Sequence, residues 1–238
     1  MLPGLKQRLG AEFVGTAMLL AAVVGSGIMA ARLSGGNVAI ALLANSIATG
    51  GALLCLITAL GPISGAHFNP AVSIADAMRR GLSVAECAAY IVAQLLGAVA
   101  GVIAAHAMFG LPPIFPSHHV RTGASQWFAE FVATFGLLLV IWGCVRFKSP
   151  FTSFCVAGYI VGAYWFTAST SFANPAVTIA RSLTDTFVGI RPVDVPGFVV
   201  AQLIGAVSAT ALFGWFAPIS KADAEDALFQ HDGASHVA

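Results

Sequence analysis

Two copies of one tripeptide carry the chemistry that this sequence offers. Asn69-Pro70-Ala71 and Asn174-Pro175-Ala176 each join a strong helix N-cap to a proline suited to the first helical position, where its missing N–H costs nothing. If the asparagine carbonyl caps its own helix, the side-chain NH2 is left to donate into a lumen. If both tripeptides open short helices that meet N-terminus to N-terminus, the positive ends of two helix dipoles converge. That point repels cations and protons, and a file of water oriented by two such donors relays protons poorly. One such tripeptide arises easily by chance. Two at matching places do not.

The places do match. Ala11-Glu12-Phe13-Val14 returns as Ala129-Glu130-Phe131-Val132, with Thr16 matched by Thr134. Asn69-Pro70-Ala71-Val72 returns as Asn174-Pro175-Ala176-Val177. Ala93-Gln94-Leu95-Leu96-Gly97-Ala98-Val99 returns as Ala201-Gln202-Leu203-Ile204-Gly205-Ala206-Val207. Three matches in one order make an internal duplication, with repeat one over about 8–110 and repeat two over about 126–217. Residues 1–217 read as a single domain built from both repeats, and 218–238 as a polar tail.

The elements that must position the tripeptides follow from composition. The chain has 238 residues, 58% hydrophobic and 9% charged, whereas soluble domains run near one quarter charged. Lipid is the implied solvent. Apolar segments of about the 20 residues needed to cross a bilayer fall at 11–31, 38–60, 84–108, 127–146, 151–168 and 196–217. The first is expected to be retained rather than cleaved, since the ten residues before it lack a cleavage-like site. Residues 33–75 and 149–180 contain no Asp, Glu, Lys or Arg. Each is long for one crossing and is broken in the middle, by Gly61-Pro62-Ile63-Ser64-Gly65 and by Thr167-Ala168-Ser169-Thr170-Ser171. The economical reading is a span, a loop dipping into the membrane, and a half-helix. Backbone of that kind is tolerated at depth only when buried in protein or lining a wet cavity.

The fold class is therefore an all-α membrane protein of six transmembrane helices plus two re-entrant half-helices. Three spans per repeat is an odd number, so the halves enter from opposite sides as an inverted 3+3 repeat. With both termini cytoplasmic, Lys6, Arg8, Arg79, Arg80, Arg146, Lys148 and Lys221 lie inside, and Arg32, Arg121, Arg181 and Arg191 outside, an excess in the direction the positive-inside rule requires.

In these residues, above all Ser64-Gly65-Ala66-His67-Phe68-Asn69-Pro70-Ala71-Val72 and the second Asn174-Pro175-Ala176, the sequence resembles the aquaporin, or major intrinsic protein, family across residues 8–217. The resemblance implies a passive channel, a homotetramer with one pore per subunit, no cofactor, and a second constriction that sets solute size. Family members usually carry Arg three residues after the second Asn; here that residue is Val177. The text Asn-Pro-Ala-Val-Thr-Ile-Ala-Arg is similar to aquaglyceroporins of bacterial arsenic-resistance operons, which implies a cell-membrane location. By spacing, the other filter places are Thr49, Ser171, and on the fifth span either Gly162 or Trp165, with Trp165 favoured. An apolar Val177 beside hydroxyls suits neutral polyols and hydroxylated metalloids such as arsenous acid and methylated arsenicals, with water.

Other residues have two readings. Arg181, one turn past Val177, guards a vestibule or pairs with Asp185 at the surface. His67 lines the pore or satisfies a loop carbonyl. Glu12 and Glu130 are intramembrane acids, which by default suggest function; their matched positions favour a structural role, accepting hydrogen bonds from loop backbone. Gly97-x-x-x-Gly101, Gly158-x-x-x-Gly162 and Gly205-x-x-x-Ala209 read as close-packing seams. Cys55, Cys87, Cys144 and Cys155 read as small packing residues.

Two other classes share part of this pattern. A secondary transporter also uses inverted repeats, but no buried acid is left unpaired to couple protons. An enzyme needs a nucleophile–base or metal cluster; none is evident, and His118-His119 sit in a loop. A formal net charge of +1, with no basic run longer than Arg79-Arg80, speaks against nucleic acid. The expected partners are membrane lipid and small neutral solutes.

Overall fold

The computed structural model describes residues 3–218, and Lys221 and the tail from 219 onward lie outside the described residues. The architecture is helical, with one isolated parallel bridge, Phe115 to Thr184. In chain order the helices are α1 (Leu5–Leu33), α2 (Val38–Ser64), α3 (Pro70–Met78), α4 (Val84–Phe109), α5 (Ala124–Arg146), α6 (Thr152–Phe166), α7 (Pro175–Arg181) and α8 (Val195–Phe216).

Local chemistry sets these limits. Asn37 caps α2 by accepting from the Ala39 and Ile40 N–H groups, and Ser83 with Glu86 forms a reciprocal capping box on α4. Gly65 ends α2 in the left-handed conformation, as Gly110 ends α4. The break falls at Gly65, the last residue of the run Gly61-Pro62-Ile63-Ser64-Gly65, and Pro62 is carried in the last turn of α2. Among the described residues, five helices are long and apolar enough to cross a membrane. The sixth expected span, α6, is 15 residues, about 22 Å at helical rise. It stops where Thr167 turns extended and its hydroxyl bonds back to the Ala163 carbonyl.

Packing follows the duplication. Helix α1 packs on α2 and α4, α5 packs on α6 and α8, and α2 meets α6 across the halves. Each short helix touches the last long helix of both halves: α3 lies on α4 and α8, and so does α7. Close approach is made by glycine. A Cβ on Gly97 or Gly101 would strike the α1 backbone at Phe13 and Ala17, and one on Gly205 would strike α5 at Phe131. Among the described residues Gly158 and Gly162 form no seam; both are exposed, and a Cβ at 162 would meet just the Phe166 ring, at 3.9 Å. All four cysteines are free, with Cys55 and Cys155 exposed rather than packed. The outer surface carries Val38, Val84, Phe128, Phe154 and Trp215 in the open, an apolar belt that water would penalise and lipid accepts.

Candidate pore

The two tripeptides open α3 and α7 as their residue types require. Asn69 Oδ1 accepts from the Ala71 N–H at 2.9 Å; Asn174 Oδ1 accepts from Ala176 at 3.0 Å and Val177 at 3.2 Å. The NH2 groups are only partly left for a lumen. Asn69 Nδ2 donates to the Ala173 carbonyl, and Asn174 Nδ2 donates to the Phe68 carbonyl, both at 2.8 Å. Each amide thus caps its own helix and ties itself to the opposite loop. One N–H per amide is spent on the crossing, leaving the second for the cavity.

Both loops run through strained backbone. Ala66 and Phe68, and at the equivalent places Ser171 and Ala173, have φ near +50° without being glycine. Such residues cost on the order of 1–2 kcal/mol each and persist only when surroundings fix them. Glu12 and Glu130 are the fixing groups. Glu12, fully buried, accepts from the His67 and Phe68 N–H groups, the Ser64 hydroxyl and Gln94 Nε2. Glu130, equally buried, accepts from the Phe172 and Ala173 N–H groups and Gln202 Nε2. Gln94 also donates to Ser73 Oγ and Gln202 to Thr178 Oγ1, so each glutamine links its acid to a half-helix.

Between these parts runs a cavity of about 250 Å³. Its wall is apolar along the helices, with Leu19, Leu53, Leu137, Val156 and Ile160. Polar groups enter from the loops and from α2. Asn69 and Asn174 both reach it, as do Thr49, Ser171 and Val177. His67 lines it too, with its ring Nδ1 3.1 Å from Ser73 Oγ rather than on a loop carbonyl.

The place expected for Trp165 is taken by its neighbour. Trp165 is 48% exposed, turned away from the cavity, with its indole N–H on Ser46 Oγ at 3.3 Å. Gly162 is likewise outside the wall. Tyr164 is buried, lines the cavity, and sets its hydroxyl 3.2 Å from Thr49 Oγ1. Counting by one residue on a helix turns a side chain by 100°, enough to carry it from pore to exterior.

Arg181 is no surface cation. It is 2% exposed, lines the cavity, donates from Nε to the Val188 carbonyl, and stacks on Phe172 with Cζ 3.3 Å from the ring centroid. Asp185, its supposed partner, accepts instead from the His118 N–H at 2.9 Å. The equivalent of Arg181 in α3 is Asp76, seven residues after its asparagine, and it lines the same cavity. Asp76, Tyr164 and Phe172 were not singled out from the sequence. For Asp76 the signal was present, since Asn-Pro-Ala-Val-Ser-Ile-Ala-Asp aligns with Asn-Pro-Ala-Val-Thr-Ile-Ala-Arg without a gap.

Comparison with known proteins gives a consistent picture. Residues 3–171 match the family model described as Major intrinsic protein. The chain is 57% identical over 211 residues to Aquaglyceroporin AqpS of Rhizobium meliloti (strain 1021), covering 89% of this chain and 90% of that one. It is 32% identical to Probable aquaporin AqpM of Archaeoglobus fulgidus, over 90% and 98% of the two chains. The X-ray structure of the aquaglyceroporin from Plasmodium falciparum superposes with a TM-score of 0.63 over 88% of this chain and 96% of that one. At 21% identity that likeness speaks to fold.

Proposed function

The chain belongs to the major intrinsic protein family, and from that premise we propose that its pore passes hydroxylated metalloids such as arsenous acid and methylated arsenicals beside glycerol-like polyols and water. It is a membrane channel for small neutral solutes and not an enzyme. The finer reading rests on one observation. Val177 stands in the cavity wall, 95% buried from solvent, in the first turn of α7 where the family usually carries arginine. An arginine there supplies bulk, charge and donors; valine removes all three. Thr49, Tyr164 and Ser171 then supply hydroxyls against an apolar wall, a lining suited to solutes that carry OH groups and no charge.

The filter in this reading is Thr49, Tyr164, Ser171 and Val177, in a single channel unit made of both repeats. A homotetramer in a bacterial inner membrane, with both termini cytoplasmic, completes it. The charge bias supports that orientation: of the cations assigned outside, Arg121 and Arg181 are taken up in packing on Phe172 rather than left as loop charges.

Stopped-flow measurements on proteoliposomes test the filter. Val177→Arg is expected to lower glycerol and arsenous acid permeability by on the order of tenfold, the effect of about 1.4 kcal/mol of added barrier, while water loses far less. An unchanged ratio of large-solute to water flux would remove residue 177 from the constriction.

A further inference from the structure

Two guanidinium groups converge on one ring at the α7 end of the cavity. Arg181 Cζ lies 3.3 Å from the Phe172 centroid and Arg121 Cζ lies 5.1 Å from it. Arg121 is tied at two nitrogens: its Nε donates to the Gly189 carbonyl and its Nη1 to the Ser169 carbonyl. Arg181 is not. Only Nε is engaged, on the Val188 carbonyl, and its terminal Nη groups have no hydrogen-bond partner among the described residues. Neither guanidinium makes an ion pair with a carboxylate among those residues.

A second and independent group lies on the same wall. Ser171 is 3% exposed and lines the cavity, yet its Oγ is buried without any hydrogen-bond partner. A buried hydroxyl left unpaired costs on the order of 1–3 kcal/mol. Ser171 lines the cavity that also receives an unpaired guanidinium edge, and a change of its χ1 rotamer is what would bring the hydroxyl onto a bound solute. Arginine in that state is the side chain best matched to a planar carboxylate, since two parallel N–H donors meet two oxygens.

We propose that the α7 end of the cavity is a binding site for a small monocarboxylate, held by the Nη edge of Arg181 and the hydroxyl of Ser171. The cavity, about 250 Å³, has room for an acetate-sized anion. Bound there, the anion occupies the path of neutral solutes and competes with them. Competition rests on the channel reading above; the binding site itself does not.

Titration calorimetry of the detergent-purified full chain with sodium acetate tests it, with acetamide as the uncharged counterpart of the same shape. Acetate is expected to bind and acetamide to bind at least about tenfold more weakly, the difference of one charge-assisted hydrogen bond. Arg181→Gln is expected to weaken acetate by about tenfold or more, and Arg181→Lys by less. Ser171→Ala, which removes only an unpaired hydroxyl, is expected to keep the fold and weaken acetate several-fold; it decides the matter if the arginine variants fail to fold. No acetate binding to folded protein, equal binding of acetamide, or equal binding by Ser171→Ala together with any folded Arg181 variant would overturn the site. In a parallel flux assay, acetate binding without glycerol permeation would sink the channel reading and leave the anion site standing. Glycerol permeation without acetate binding would do the reverse.

Discussion

At residues 64–68 the chain is held by a tyrosine hydroxyl backed by an ion pair, whereas at 169–173 the same bends are held by aromatic faces and by Arg121, which donates directly to the Ser169 carbonyl. In the first loop Tyr90 donates its hydroxyl to the Ser64 carbonyl, and Arg8, paired with Glu86, donates in turn to the Tyr90 oxygen. The Phe68 ring sits in a notch that exists because residue 15 is glycine. In the second loop the place of Tyr90, four residues before the glutamine, is Phe198, which meets Phe172 edge-on at 5.2 Å. Phe68 is replaced by Ala173, and Gly15 by Ala133. Two features are common to both. A buried glutamate accepts from two consecutive loop N–H groups, and an asparagine amide reaches the other loop's carbonyl. The strained turn needs the acid and the amide; the supports around them can be rebuilt in different chemistry.

The comparison is broken most severely by removing an acid. Glu12→Ala strands four donors and Glu130→Ala three, each buried donor costing on the order of 1–3 kcal/mol. Both variants are expected to melt far below the native protein in detergent, Glu12→Ala the lower of the two. A native melting temperature for either would show that its loop is held by something else.

A smaller effect sharpens the difference between the loops. Gly15→Ala places a methyl inside the Phe68 ring, and overpacking of that kind costs about 1–3 kcal/mol. Phe68→Ala in the same chain restores the pairing that the second repeat already uses, Ala133 with Ala173. The double variant should therefore lose less than the sum of the two single losses. Strict additivity in thermal melts would show that the notch and the ring are unrelated.

The smallest change is expected at Arg8. Its pair with Glu86 is part-exposed, so Arg8→Ala should cost about 1 kcal/mol or less. A loss as large as that of Glu12→Ala would mean that the outer hydroxyl chain, rather than the acid, carries the first loop.

Much of this was legible in the sequence, because duplication writes each structural part twice. Glu12 and Glu130, the two asparagines and the glycines at 97 and 205 stand out as residues kept at one offset. The half-helices follow from cap chemistry, which is local. What was hidden is what depends on rotation and on contacts between distant segments. Trp165 and Tyr164 are adjacent and both aromatic, so composition cannot say which turns inward. For Arg181 the sequence left a vestibule guard and an i,i+4 partner of Asp185 side by side, and the residue lines the cavity. Its real neighbours, Phe172 and the Val188 carbonyl, are set by how the loop folds back on the short helix. Gly158 and Gly162 carry a packing motif, but among the described residues nothing packs closely on them.

The opposed charges at Asp76 and Arg181 have a consequence for the shape of the energy profile along the pore. The paired helix N-termini raise a central hill for cations that is symmetric by construction. Asp76 digs a well on one flank of that hill, while Arg181 extends its height along the other. A cation arriving at the Asp76 mouth meets an attractive step before the slope, and one arriving at the Arg181 mouth is turned back at once. For an anion the profile inverts, downhill from the Arg181 mouth toward the centre and uphill beyond it. The chain therefore has a polarity along its axis that its duplicated architecture lacks, and two residues at one repeat position create it.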